Sequence, residues 1–301
     1  MTEPHAESLD PRAVRRAFER AAATYDGAAD LQRETADELL DRLAAVKIEP
    51  ERVVDLGCGT GHALQGLQKL YRGAEVIGVD FSHAMAARAR ARPRGSARLR
   101  RRPLAICADM ERLPLADASV DVVFSSLAFQ WARDPVALFG EVRRVLRPDG
   151  AFMFASFGPD TLFELRAAWA EIDDRVHVSQ FPDMHDIGDA MLGAGLVDPV
   201  MDVDRQRRAY EDLPALMRSI KAIGAQNAAH GRPRGLTGPG VLRRLERAYA
   251  ARTGDGRPLA SWELVYGHAW GAQIPRPGSG TAQEFHIPLE SIGRARTNRG
   301  D

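Results

Sequence analysis

The 301 residues predict an α/β fold: a mostly parallel seven-stranded sheet with helices on both faces. Three observations carry that expectation. Short apolar runs alternate with helical patterns from Arg52 to Phe157, which is the grammar of strand–helix–strand units. The first run, Val53-Val54-Asp55-Leu56, opens into three alternate glycines before a helical segment. The composition, 45% hydrophobic and 27% charged, supports a large core and excludes a disordered chain.

In chain order, Val14, Phe18 and Ala21, then Leu31, Ala36, Leu39, Leu40 and Leu43, recur at three and four. That is the helical period, and it predicts two helices broken near Tyr25-Asp26-Gly27. Strands follow at Val53 to Leu56, Glu75 to Asp80, Leu104 to Ala108, Val120 to Ser125 and Ala151 to Phe157. Helices between them span His62 to Leu70, His83 to Ala91 and Pro135 to Leu146, the last stopped by Arg147-Pro148-Asp149-Gly150. Beyond Phe157, helices are expected at Thr161 to Ile172 and Met184 to Ala194, and strands at Pro199 to Arg205 and Trp262 to Trp270. Between those two strands lie helical segments Leu213 to Gln226 and Gly240 to Ala251, expected to cover the carboxyl ends of the sheet as a lid. The organisation expected is a helical cap over 1–45, a main domain over 46–274 with the lid insert at about 211–258, and an irregular tail over 275–301, its last residues disordered.

Charge is balanced, 41 basic against 41 acidic side chains, so bulk electrostatics names no partner. Only Lys47, Lys69 and Lys221 are lysines, which leaves 38 arginines and makes any single arginine weak support for a site. Cys58 and Cys107 are too few for a disulfide framework or a four-ligand zinc site, so no metal is expected and a reducing compartment, the cytoplasm, is. The start, MTEPHAESLD, lacks the apolar core of a signal peptide, and no apolar run reaches about 18 residues, so no membrane role is expected. Arg98-Leu99-Arg100-Arg101-Arg102 is a basic run without interleaved aromatics, which argues against nucleic acid.

The strongest motif is Asp55-Leu56-Gly57-Cys58-Gly59-Thr60-Gly61. Glycines permit positive φ and let a ligand lie against the main chain at the open end of the first strand. The G-x-G-x-G spacing, with Asp55 inside the strand two residues earlier, resembles the first motif of Rossmann-like class I methyltransferases that use S-adenosylmethionine (SAM). It departs from the G-x-G-x-x-G of dinucleotide enzymes. Asp80 ends the next strand nineteen positions after Gly61, where a carboxylate can accept both ribose hydroxyls, with Phe81 beside it. Asp109 follows the third strand and can accept from an adenine amino group while Met110 packs on the ring. Ser125, at the end of the fourth strand, completes the expected cofactor set of Asp55, Gly57, Cys58, Gly59, Gly61, Asp80, Phe81, Asp109 and Met110. Each acid alone could merely cap a helix; three at successive strand ends are hard to explain that way.

Gln130 and Trp131 fall where the methyl acceptor would lie in such a fold. Transfer from a sulfonium needs alignment and exclusion of water, and a base only where the nucleophile is protonated. His83 starts a helix, while His177 and His185 lie in or beside the loop after the main sheet. No base stands on a strand end, which favours an acceptor already ionised, such as a carboxylate.

Three further segments narrow the family. Ala17-Phe18-Glu19-Arg20-Ala21-Ala22-Ala23-Thr24-Tyr25 with Ala29-Asp30-Leu31-Gln32-Arg33, then Leu127-Ala128-Phe129-Gln130-Trp131, then Met217-Arg218-Ser219-Ile220-Lys221-Ala222-Ile223-Gly224-Ala225, resemble the malonyl-[acyl-carrier protein] O-methyltransferases of biotin synthesis. The resemblance runs from about Val14 to Trp270. It implies transfer of methyl from SAM to the free carboxylate of a malonyl thioester, on acyl-carrier protein or coenzyme A, giving the ester that primes pimeloyl synthesis. Phe157-Gly158-Pro159-Asp160-Thr161-Leu162-Phe163-Glu164-Leu165-Arg166, with Phe181-Pro182-Asp183-Met184, is equally similar to methyltransferase-like assembly factors of respiratory complex I, some of them arginine hydroxylases. A small-molecule methyltransferase of the quinone type is a third reading, and it would want a base near Gln130.

A malonyl carboxylate calls for a cation, and Arg218, then Lys221, are the candidates because they occupy the helix that the resemblance selects. Tyr25 is expected near the methionine end of the cofactor, with Gln32 or Arg33 nearby. An acidic carrier protein would dock on a basic rim, for which Arg205, Arg207, Arg208, Arg232 and Arg234 are candidates.

Overall fold

The computed structural model describes residues 9–92, 103–232, 235, 237–253 and 257–272. The basic run at 98–102, Arg234 and the tail from 273 onward lie outside the described residues.

The sheet holds seven strands among the described residues: β1 (Arg52–Leu56), β2 (Glu75–Asp80), β3 (Leu104–Cys107), β4 (Val120–Ser126), β5 (Leu146–Phe157), β6 (Leu196–Ala209) and β7 (Leu259–Gly271). Their spatial order is β3-β2-β1-β4-β5-β7-β6. The first five run parallel, and β7 enters antiparallel between β5 and β6. Successive side chains leave a strand on opposite faces, so each strand feeds two cores. Val53, Val122, Phe124 and Met153 join one buried cluster with Leu39, Leu67, Trp169 and Tyr249. Val54, Val123, Phe152 and Phe154 join the other, with Phe139, Val142, Ile187 and Met191.

Helices α1 (Pro11–Ala21) and α2 (Asp30–Ala44) flank a 3₁₀ turn at Tyr25–Gly27. The crossovers are α3 (His62–Leu70), α4 (His83–Ala91) and α5 (Pro135–Val145), followed by α6 (Phe163–Ala170) and α7 (Met184–Gly193). The insert between β6 and β7 carries α8 (Leu213–Ala222) and α9 (Pro239–Thr253). Asp10, Asp134, Asp183 and Asp212 cap α1, α5, α7 and α8, each accepting first-turn N–H groups.

Two elements end elsewhere than their sequence patterns suggest. β6 extends to Ala209 because every residue from Val200 to Ala209 pairs with β7, and pairing rather than side-chain pattern carries its polar outer half. α8 stops at Ala222, where Gly224, at φ +80°, turns the chain toward α1. Two buried carboxylates hold the start of α6 to β7. Glu164 accepts from the Ser261 N–H at 3.0 Å and its hydroxyl at 2.6 Å. Glu263 accepts from the Asp160 N–H at 2.8 Å and from Arg205 at 2.7 Å.

Candidate active site

The loop leaving β1 has Gly57, Gly59 and Gly61 at φ +73°, +52° and +86°. At Gly57 a Cβ would stand 2.1 Å from the Ala128 Cβ, so both conformation and space demand glycine there. The N–H groups of Gly57 and Cys58 donate to Val79 O at 2.7 and 3.0 Å, which ties the loop to β2. The Cys58 thiol turns inward: a Cβ on Gly78 would meet its Sγ at 2.7 Å. Burial pushes that thiol up, with Asp55 and Asp80 adding to the effect, so only its main chain serves the cleft.

Asp55 is 2% exposed and its Oδ2 meets no donor. Burial, then the neighbouring Asp80 charge, pushes its carboxyl up to about 8. Asp80 accepts from Gly59 N–H at 2.9 Å and Ser82 N–H at 2.8 Å. Burial outweighs those two bonds and pushes it up to about 6. A carboxylate has about four lone-pair sites, so Asp80 shapes the loop and still keeps acceptor capacity for a ligand.

Tyr25, Asp26, Gln32 and Arg33 of the amino-terminal segment close the cleft over the glycine loop, with Ser126 on its floor. The segment is latched down. Glu19 accepts from the His83 and Ala84 N–H groups at 2.7 and 3.0 Å, capping α4 from outside. Asp26 accepts from the Thr60 hydroxyl and from Arg92, which also donates to Thr60 O at 3.0 Å. Burial, then the Asp80 and Asp26 charges, holds the Tyr25 phenol neutral. Covered in this way, the cleft has a volume of about 50 Å³ and remains partly open to solvent.

A second, apolar cavity of about 90 Å³ lies under α8, lined by Trp131, Phe157, Leu165, Phe181, Ile220 and Trp262 among others. The Phe18 ring of α1 meets Trp131, a cavity residue, edge-on at 5.4 Å and Phe81, at the end of β2, at 5.9 Å. Gln130, on the 3₁₀ turn Phe129–Trp131, donates to Leu127 O at 2.9 Å and leaves its buried Oε1 without a partner.

Several expected residues take other positions. The Ser125 hydroxyl is fully buried and donates to Leu56 O at 3.1 Å, tying β4 to β1. Its neighbour Ser126, with a buried hydroxyl that has no partner, is the serine facing the cleft. Strand alternation puts adjacent residues on opposite faces, the one signal that could have separated them. Met110 turns into the core with Leu113, while Asp109 remains exposed, accepting from Glu111 N–H at 3.0 Å. Arg218 and Lys221 are absent from the cavity wall. Arg218 is 67% exposed, 3.6 Å from Asp212, and Lys221 is exposed too. Residues three apart share a helix face, so 218 and 221 look outward while 220 and 223 face the cavity. Of the candidate rim, Arg205 pairs with Glu263, Arg208 with Glu34 and Arg232 with Asp10.

The cleft therefore offers a tight glycine turn that a side chain would block, two acids at adjacent strand ends and two unpartnered buried oxygens, on Asp55 and Ser126. A nucleoside bearing a charged amino-acid tail fits that donor and acceptor set. With the parallel sheet and its antiparallel β7, these features define a SAM-dependent α/β methyltransferase, and a family model described as "Methyltransferase domain" matches residues 54–154. The chain belongs to the malonyl-[acyl-carrier protein] O-methyltransferase family: it is 49% identical to the protein of that name from Halorhodospira halophila, over 97% of this chain and 98% of that one. The Laribacter hongkongensis protein of the same name is 50% identical over 87% and 89%. Among solved structures, the YcgJ protein of Bacillus subtilis superposes with a TM-score of 0.56 at 16% identity, over 79% of this chain and all of that one, a likeness of fold. No described helix is long and apolar enough to cross a membrane.

Proposed function

We propose that this chain transfers methyl from SAM to the free carboxylate of malonyl-acyl-carrier protein, giving the methyl ester that primes pimeloyl synthesis for biotin. The carrying observation is the apolar cavity walled by Trp131, which stands on the turn just after Ala128, the residue packed against Gly57 of the glycine loop. When bound, SAM supplies an electrophilic methyl on a sulfonium. The residues proposed to hold it are Asp80 for the ribose, Asp55 and Tyr25 at the amino-acid end, the main chain of 57–61 beneath, Phe81 and Asp109 at the base, and Ser126 on the floor. Gln130 and Trp131 belong to the acceptor side. Trp131, Phe157 and Trp262 exclude water, and a desolvated carboxylate is a stronger nucleophile than a hydrated one. A carboxylate is ionised at neutral pH, so the reaction calls for no general base. In domain terms, residues 1–45 act as the cap, 46–274 as the catalytic unit and the insert at about 211–258 as the acceptor lid.

The test is transfer of radiolabelled methyl from SAM to malonyl-acyl-carrier protein, with the acetyl and succinyl forms and malonyl-coenzyme A alongside. A base-labile product on the malonyl carrier, absent from the acetyl form, is expected. SAM binding without transfer to any malonyl thioester overturns the reading and returns weight to another acceptor or to an assembly role.

A further inference from the structure

An apolar cavity that admits a carboxylate must meet it with charge or with donors, since an uncompensated ion there is costly. Among the described residues lining the cavity, Ser179 and Asn227 are neutral and His177 is the side chain that can carry positive charge. His177 is 11% exposed. Its ring lies flat on Trp169, centroids 3.6 Å apart and planes 3° from parallel. Its Nε2 stands 2.8 Å from Asp173 Oδ1. Partial burial works to raise the Asp173 carboxyl, yet the Arg175 N–H and the histidine ring hold it below the ordinary range. Asp173 accepts from the ring at Nε2, and the indole face beneath holds the ring in its plane.

The surrounding elements bring Trp131, Phe157, Ile220, Ile223 and Trp262 to the cavity, none of them charged. Asp173 is therefore the charge bonded to the ring, and Arg175 acts on Asp173 in turn.

We propose that His177, oriented by Asp173 and Trp169, is the group that recognises the acceptor carboxylate, an imidazolium donating from Nδ1. This rests on the carboxyl methylation proposed above. His177 neither takes nor gives a proton in this role. Esterification removes the substrate's negative charge, so the product loses the ion pair that held the substrate, and release is favoured.

The experiment compares wild type with His177→Gln and His177→Phe in steady-state methyl transfer to malonyl-acyl-carrier protein, with SAM affinity measured by calorimetry on the same preparations. Loss of a charge-assisted bond should raise KM for the malonyl carrier about 10- to 100-fold, with kcat much less affected. SAM Kd should stay within about twofold, as for a group that touches only the acceptor. In wild type KM should rise as pH climbs through the range in which an imidazole gives up its proton, and this dependence should vanish in His177→Gln. An unchanged KM in both variants, or a wild-type KM flat with pH, overturns the assignment. So does a kcat that rises with pH and collapses in His177→Gln, which would make the ring a base. If a variant fails to fold, the wild-type pH profile decides. Wild type inactive on malonyl thioesters would sink the proposed function and this inference together; active wild type with indifferent variants would sink this inference alone.

Discussion

Asp55 sits in the interior with one carboxylate oxygen that no donor reaches, and the lack of a partner there has a pH signature. Its carboxyl titrates near 8 in the folded, ligand-free protein and near the ordinary 3.8 once unfolded. Between those values the folded state binds more protons, so stability falls as pH rises from about 4 toward 8. Asp55→Asn should flatten that decline and raise Tm at pH 8 relative to wild type, while weakening SAM binding. Melting curves at pH 5.5 and 8, with and without SAM, check both effects; a wild-type Tm insensitive to pH would contradict the burial argument. Gly57→Ala adds a Cβ 2.1 Å from Ala128 in a left-handed backbone, and should cost about 2–4 kcal/mol in denaturant unfolding. The types at Gly57 and Asp80 are legible in the sequence because the turn's main chain dictates them, Gly57 by its clearance from Ala128 and Asp80 by the Gly59 and Ser82 N–H groups it accepts. The choice between Ser125 and Ser126 was not legible, because it depends on which face of β4 meets the cleft.

At the scale of elements, the amino-terminal helix and α8 form the roof. The Glu19 cap on α4 and the Asp26–Thr60–Arg92 cluster tie the amino-terminal segment to the elements flanking the glycine loop, so these bonds are expected to resist its movement when the cleft loads. Glu19→Ala removes an acidic cap worth about 1 kcal/mol and should speed SAM association severalfold in stopped-flow mixing. Unchanged association and unchanged hydrogen exchange over 11–27 would show that the latch is not the gate. On α8 the structure inverts the expectation from sequence. Ile220→Asp, which puts an unpaired charge into the cavity, should lower kcat/KM by more than about tenfold. Arg218→Ala on the outer face should leave turnover close to wild type. Helical periodicity alone showed that α8 was amphipathic, but the cations were chosen for their chemistry, and only packing against Trp131 and Phe157 shows which face is inside.

Across the whole molecule, the antiparallel β7 does more than complete the sheet. Glu263, buried on it, holds the Asp160 turn and Arg205 together, while Glu164 holds Ser261, so the start of α6 is pinned to the strand. That pinning fixes α6, whose Trp169 stacks on His177 of the cavity wall. Glu263→Ala leaves buried donors unmet and should cost about 1–3 kcal/mol. At about 2–4 °C per kcal/mol for a chain of this size, Tm should fall by several degrees in calorimetry. The succession of strands and helices and the glycine loop follow from local rules: apolar runs of strand length, crossovers of helix length and glycines where no Cβ can fit, whereas the place of β7 between β5 and β6 is set by pairing between distant stretches. Those local rules act over a few neighbouring residues, which is why the sequence by itself determined the succession of elements and the glycine loop. The apolar cavity proposed for the acceptor draws Trp131, His177, Ile220 and Trp262 from four distant stretches of chain. Which side chains converge there is set by packing between elements, and no local pattern encodes it. Tertiary structure alone therefore decided that His177, rather than Arg218 or Lys221, stands in that wall.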